Sequence, residues 1–164
     1  MATSRKSPAE LDKSVSLAHV PRCDDYEKMI SGMLYNSFVP ELDRPRFKAR
    51  AWAHKYSHYY PNDPEATPAG LAKDRLEMLR ERLGHIADEE IYIEPPFNID
   101  YGCNISIGKR FYSNFQLTIL VAIVTIGDRV MLGPNVLITT ATHEVEVASR
   151  RQNVEYGKPV TIVG

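Results

Sequence analysis

The chain has 164 residues, 43% of them hydrophobic and 25% charged, with a formal net charge of −1 and a pI near 6.5. Such a composition describes an ordinary soluble globular protein, one medium domain or a small domain with an appendage. No basic stripe or aromatic-rich basic patch asks for nucleic acid, and no apolar run reaches the roughly 18 residues a membrane helix needs.

The first 23 residues are polar, contain Ser and Pro, and lack the apolar core of a signal peptide. They read as a mobile extension, residues 1–23. Cys23 and Cys103 are too few for a disulfide framework and lack metal-ligand spacing, so two reduced thiols in a cytoplasmic protein are expected.

A helical leader is predicted over residues 24–86. "DDYEKMISGMLY" opens with acids, which favour a helix N-terminus. Its apolar residues Tyr26, Met29, Ile30, Met33 and Leu34 recur at three- and four-residue steps. "ELDRPRFKARAWAHKYSHYY" continues the pattern, with Phe47, Ala51, His54 and Tyr56 near one side and Pro45 suited to a first turn. "PNDPEATP" is a break. "AGLAKDRLEMLRERLG" is a third helix on Leu71, Leu76, Leu79 and Leu83, with Gly84 as its stop and His85 placed to meet its terminal carbonyls.

From Ile91 the helical period gives way to a six-residue one. Ile99, Ile105, Phe111, Leu117 and Ile123 lie six apart, as do Val124, Val130 and Val136, and Ile126, Leu132 and Ile138. Within hexads, "NISIG", "VTIGD" and "VLITT" alternate as strands do. A fixed long period dictates a repeat architecture, here a triangular solenoid of three short strands and about 18 residues per turn. An antiparallel sandwich does not keep such a phase. Gly108, Gly127 and Gly133 fall at or near the hexad corners. The step from Ile123 to Val124 breaks the phase and predicts a bulge near 120–124. The solenoid is expected over residues 87–164.

His143, in "ITTATHEVEVASR", falls past a coil corner, at the root of a polar loop. His54 and His58 are spaced i, i+4, which suits a metal, but no third ligand is evident and no metal is expected.

"KMISGMLY", "FNIDYGCNISIGKRFYSNFQLTIL", "VTIGDRVMLGPNVLITTATHEVEV" and "YGKPVTI" together resemble the hexapeptide-repeat sugar O-acetyltransferases. That family includes the maltose, galactoside and nodulation acetyltransferases, and the resemblance runs over residues 24–162. It implies a mainly β fold, a left-handed parallel β-helix behind an α-helical leader. It implies a homotrimer that uses acetyl-CoA and no metal to acetylate a sugar hydroxyl. By the same resemblance His143 is the general base, and Asn114 of "YSNF" and Asn36 of "LYNS" contact the acceptor.

Three departures from the family pattern bear on this expectation. The stretch "LTILVAIVTIG" is one residue shorter and lacks the family's acids. Glu144 replaces the usual proline after the histidine and adds a negative charge expected to raise the histidine's pKa if close. The family continues past "GKPVTI" into coils that carry most coenzyme A contacts, whereas this chain reads "GKPVTIVG" and ends. The expected β-helix is therefore C-terminally truncated, with the cofactor-binding residues unassigned. The alternative is a truncated, non-catalytic binding or assembly module.

Overall fold

A computed structural model covers the chain and describes every residue except Val121. The leader comprises α1 (Pro8–Val15), α2 (Asp24–Ile30), β1 (Tyr35–Asn36), α3 (Pro40–Ser57) and α4 (Pro68–Arg80). The first coil is β2 (His85–Ile86), β3 (Tyr92–Ile93) and β4 (Phe97–Ile99). The second is β5 (Ile105–Ile107), β6 (Tyr112–Ser113) and β7 (Leu117–Leu120). The third is β8 (Val124–Ile126), β9 (Met131–Leu132) and β10 (Leu137–Thr139). An excursion follows, with β11 (Ala141–Thr142), α5 (Val147–Arg150) and β12 (Val154–Gly157), before β13 (Val160–Ile162) rejoins the solenoid.

The three sides are parallel sheets of order β13-β8-β5-β2, β3-β6-β9 and β10-β7-β4. Alternating side chains point inward: Ile105 and Ile107, Leu117 and Ile119, and Val124 and Ile126 are at most 3% exposed. Each such side chain contributes about 1.5–3 kcal/mol by leaving water. The coil is longer than the expected 18 residues. Phe97 pairs with Leu117, Ile105 with Val124, Tyr112 with Met131 and Thr118 with Leu137, steps of 19 or 20. The added length falls at the corners between β4 and β5 and between β7 and β8, where Phe97 to Ile105 is a step of eight and Leu117 to Val124 one of seven; the other corners, at Arg110 and Arg129 and at Gln116 and Asn135, keep the six-residue step in the left-handed conformation. These polar corner residues, rather than the three expected glycines, turn the chain through positive φ.

Around the predicted bulge, Val121 lies outside the described residues. The break itself has a visible consequence. Val124 points into the prism, while Ala122 and Ile123 turn the other way and join Tyr26, Met29, Ile30 and Tyr35 in a second core.

The leader closes the first coil, whose end would otherwise expose apolar side chains. Ala49, Ala53 and Tyr56 of α3 and Leu76, Met78 and Leu79 of α4 pack with Ile91, Ile93 and Phe97. The Tyr56 hydroxyl donates to Ile93 O at 2.7 Å, and the Trp52 indole N–H donates to Met78 O at 3.1 Å.

Several boundaries differ from the sequence reading. Residues 1–23 are structured and packed. Thr3 bridges Met33, Lys6 pairs with Asp24 and Glu27, and Leu17 is buried where Ala18 N–H donates to Gly84 O. Helix α2 stops at Ile30 because Gly32 turns left-handed. Helix α3 begins at Pro40, so Pro45 lies inside it, and its buried face is Leu42, Ala49, Ala53 and Tyr56. Phe47 and Ala51 face solvent. Helix α4 ends at Arg80, and Gly84 serves close packing instead of a helix stop: a Cβ there would lie 2.1 Å from Cys103 O. His85 lies in β2, paired with Ser106, so the solenoid starts before residue 87.

Candidate active site

The excursion between β10 and β13 builds the site. At its root Thr140 is 7% exposed; its hydroxyl donates to Leu120 O at 3.1 Å and accepts from Ala122 N–H at 2.7 Å. This ties the departing chain to the coil below. Strand β11 then pairs antiparallel with β12, and β12 pairs with β1 of the leader through Tyr35 with Glu155 and Asn36 with Val154. A three-stranded antiparallel sheet thus joins solenoid and leader, and His143 follows directly on β11.

His143 Nδ1 lies 3.4 Å from Val154 O, and its Nε2 lies 3.9 Å from Glu155 Oε2. A carbonyl only accepts, so this contact favours the tautomer with Nδ1 protonated and the Nε2 lone pair available. The imidazole is half exposed, while Glu155 is largely covered. The other oxygen of Glu155 accepts from the Tyr35 hydroxyl at 2.5 Å. Burial, with the Glu155 charge as second cause, pushes the Tyr35 phenol far up, so it remains a donor. Ser37, Phe38, Arg150 and Asn153 complete a cavity of about 390 Å³ with His143 and Glu155.

The sequence-predicted residues fare differently. Asn36 stands opposite Val154, one strand from His143, yet its Oδ1 accepts from Phe38 N–H at 2.9 Å and shapes the turn. Its successors Ser37 and Phe38 line the cavity instead. Asn114 is not in the cavity. It precedes β7 while His143 follows β10, and those strands run in parallel, so the two residues stand at opposite ends of one face. Asn114 Oδ1 accepts from Phe115 N–H at 2.7 Å.

The carboxylate beside His143 is Glu155, not Glu144, whose Oε2 accepts from the Ser149 hydroxyl at 3.1 Å. Glu155 was missed although it immediately precedes "YGKPVTI"; a lone acid in an otherwise apolar strand, "VEYG", was its only local signal. Where the family's acids were expected, Ala122 and Ile123 pack against the leader. His54 and His58 stack at 4.3 Å on the exposed side of α3, with His58 Nδ1 2.8 Å from His54 O. Among the described residues no three His, Cys, Asp or Glu side chains are grouped to hold a metal. Likewise, no helix among them is long and apolar enough to cross a membrane.

A three-sided parallel solenoid, a helical cap and a histidine on an excursion loop define the class of hexapeptide-repeat acyltransferases. Comparison with known proteins narrows it. Residues 28–87 match the maltose acetyltransferase hexapeptide capping motif. Nodulation protein L of Rhizobium meliloti is 40% identical over 137 residues, 83% of this chain and 70% of that protein. Galactoside O-acetyltransferase of Escherichia coli is 31% identical over 137 residues, 83% of this chain and 63% of that protein. A maltose O-acetyltransferase from Clostridium difficile 630 superposes with a TM-score of 0.73 at 31% identity, covering 87% of this chain and 75% of that one. A galactoside acetyltransferase in complex with coenzyme A gives 0.71 at 29% identity, covering 84% of this chain and 65% of that one. The chain belongs to the maltose and galactoside O-acetyltransferase family, and its solenoid is the left-handed parallel β-helix of that family. It spans roughly two thirds of the length of these relatives.

Proposed function

We propose that the protein transfers an acetyl group from acetyl-CoA to a sugar hydroxyl, with His143 as general base. The observation that carries this reading is the pairing of a half-exposed His143 with a largely covered Glu155 at one cavity, in a chain of this family.

An alcohol is a weak nucleophile at neutral pH, so a base must take its proton as the oxygen attacks. His143 Nε2 accepts the acceptor's hydroxyl proton while the oxygen adds to the thioester carbonyl. When the tetrahedral adduct collapses, the carbon–sulfur bond breaks. The proton passes from Nε2 to the departing thiolate, leaving an acetyl ester and free coenzyme A. Glu155 faces the imidazolium that exists between these steps and lowers its cost. Tyr35 holds Glu155 in place through the short hydroxyl bond, and Val154 O orients the ring. The chain needs no metal for any of these steps.

The reading includes a homotrimer. Asn114 reaches a His143 cavity only if a second copy supplies one of the two residues, since they occupy opposite ends of one face. Exposed Phe115, Met131 and Leu137 flank the β9–β10 corner and its neighbour in the coil below, an apolar surface suited to such packing. Free Cys23 and Cys103 are in keeping with a reducing, cytoplasmic setting.

The experiment is product identification. The purified chain with acetyl-CoA and either maltose or a methyl galactoside should yield a mono-O-acetyl sugar by mass spectrometry. Thioester loss without acetyl sugar, or no turnover with either acceptor at millimolar concentration, would refute the reading.

A further inference from the structure

The outward face of α3 carries an unusual combination next to the candidate active site. Phe38 is 66% exposed and Phe47 is 74% exposed, and both line a cavity of about 540 Å³. Single exposed apolar side chains are ordinary; two aromatic rings on one hollow beside a reaction site are not. Phe38 borders both this hollow and the cavity that holds His143, so the two adjoin at its ring.

Phe38 is also held in place. The Arg46 guanidinium lies 5.7 Å from its ring centroid, and Arg46 is itself fixed by Ser37 O at 3.0 Å and Asp43 at 2.9 Å. The remaining lining is cationic. Arg50 is paired with Asp100 and Arg46 with Asp43, which uses the groove's acid. Arg44 and Lys48, one helical turn apart, form no ion pair among the described residues. Glu41, one turn before Arg44, borders the neighbouring cavity and not this one. An aromatic floor with two cations outside any ion pair matches a ligand that is apolar along its length and anionic at its far end.

We propose that this groove is an aglycone subsite: it receives acceptors whose sugar head reaches His143 and whose tail is an apolar chain ending in a carboxylate or similar anion. The proposal rests on the acetyl-transfer reading and assigns the acceptor class of that same site. The sugar alone fills the His143 cavity. The tail runs over Phe38, lies against Phe47 and ends between Arg44 and Lys48. Apolar contact supplies most of the gain, and the exposed cations add selectivity for the anion.

The test compares three acceptors below their micelle concentrations: methyl, octyl and 8-carboxyoctyl glucoside. Expected kcat/KM rises in that order, by about tenfold from first to last. Phe47→Ser removes the gain from the octyl chain. The Arg44→Glu/Lys48→Glu double variant reverses the preference for the carboxylate. Methyl glucoside, too short to reach the groove, serves as the reference and keeps its rate in both. Equal kcat/KM for the three acceptors, or variants that change all three alike, would overturn the proposal. So would light scattering that shows Phe47→Ser breaking up an oligomer, since the face would then be a contact between copies. If no glucoside is acetylated, the transfer reading fails separately, and calorimetry still reads the groove. Binding of 8-carboxyoctyl glucoside that is lost in the variants supports it; absence of binding to the unaltered chain overturns it.

Discussion

Glu155 links His143 to the buried frame through one hydroxyl bond, from Tyr35 at 2.5 Å. That bond survives replacement by an amide, but the charge that favours an imidazolium does not. Glu155→Gln should therefore lower kcat about tenfold or more with little change in KM for the sugar, as steady-state kinetics would read. A second residue-scale contrast lies in the two thiols. Burial pushes the Cys103 thiol up to about 12 and raises Cys23 as well, but Cys23 is only partly covered. In the native chain at pH 8, a thiol reagent should label Cys23 within minutes and reach Cys103 only on unfolding. Equal labelling of both would contradict the packing of the second core. At this scale the residues around His143 placed it only at the root of a loop past a coil corner, and its candidacy as base came from the family resemblance of that stretch. Glu155 was not legible, since its role arises from pairing with Tyr35, 120 residues away. Asn36 was legible in position only: hydrogen bonding turns its carbonyl back to the chain, and its neighbours inherit the cavity.

At the scale of elements, the hexads announced strands, their direction and their inward side chains. The phase break before Val124 was legible and accounts for the 19-residue step; the longer corner between β4 and β5 was not, because Asp100 to Asn104 break no apolar series that begins before them. The leader's helices were legible by period, whereas the buried face of α3 was misread because Ala49 and Ala53 are small. Close packing also reassigns Gly84. Gly84→Ala should cost about 2–4 kcal/mol, since backbone and not a mobile side chain blocks the new methyl. Gly133→Ala, with nothing within 4 Å, should stay within about 0.5 kcal/mol in the same denaturation experiment. The N-terminal segment offers a pH test. Lys28 and Lys6 hold the Asp24 carboxyl down to about 2, below its ordinary 3.8. A depressed carboxyl contributes its stabilisation above the ordinary value and loses it as pH falls through the folded one. Amide exchange at Thr3, whose N–H donates to Gly32 O, should therefore accelerate, relative to its intrinsic rate, between pH 4 and pH 2. Protection unchanged across that window would mean the ion pairs do not fasten the segment.

For the whole molecule, two cores meet along the coil where the phase breaks, and the antiparallel sheet β1-β12-β11 packs on the second through Tyr35 and Ala141. The leader therefore does more than cap the solenoid: through Ser37 and Phe38 it builds one wall of the cavity at His143, and through Tyr35 it holds Glu155 there. The leader and the repeats follow different periods, so nothing in either pattern marks the wall they share. If copies share sites as proposed, mixing and refolding the inactive His143→Ala and Asn114→Ala chains should restore part of the activity, because mixed assemblies regenerate intact sites. The most direct measurement is sugar-dependent release of free thiol from acetyl-CoA by the unaltered chain and by His143→Ala, side by side. The account predicts release that requires the sugar and falls by about 10²–10⁴ in the variant with its fold retained. A rate that ignores the sugar, or one left unchanged by the substitution, would contradict it.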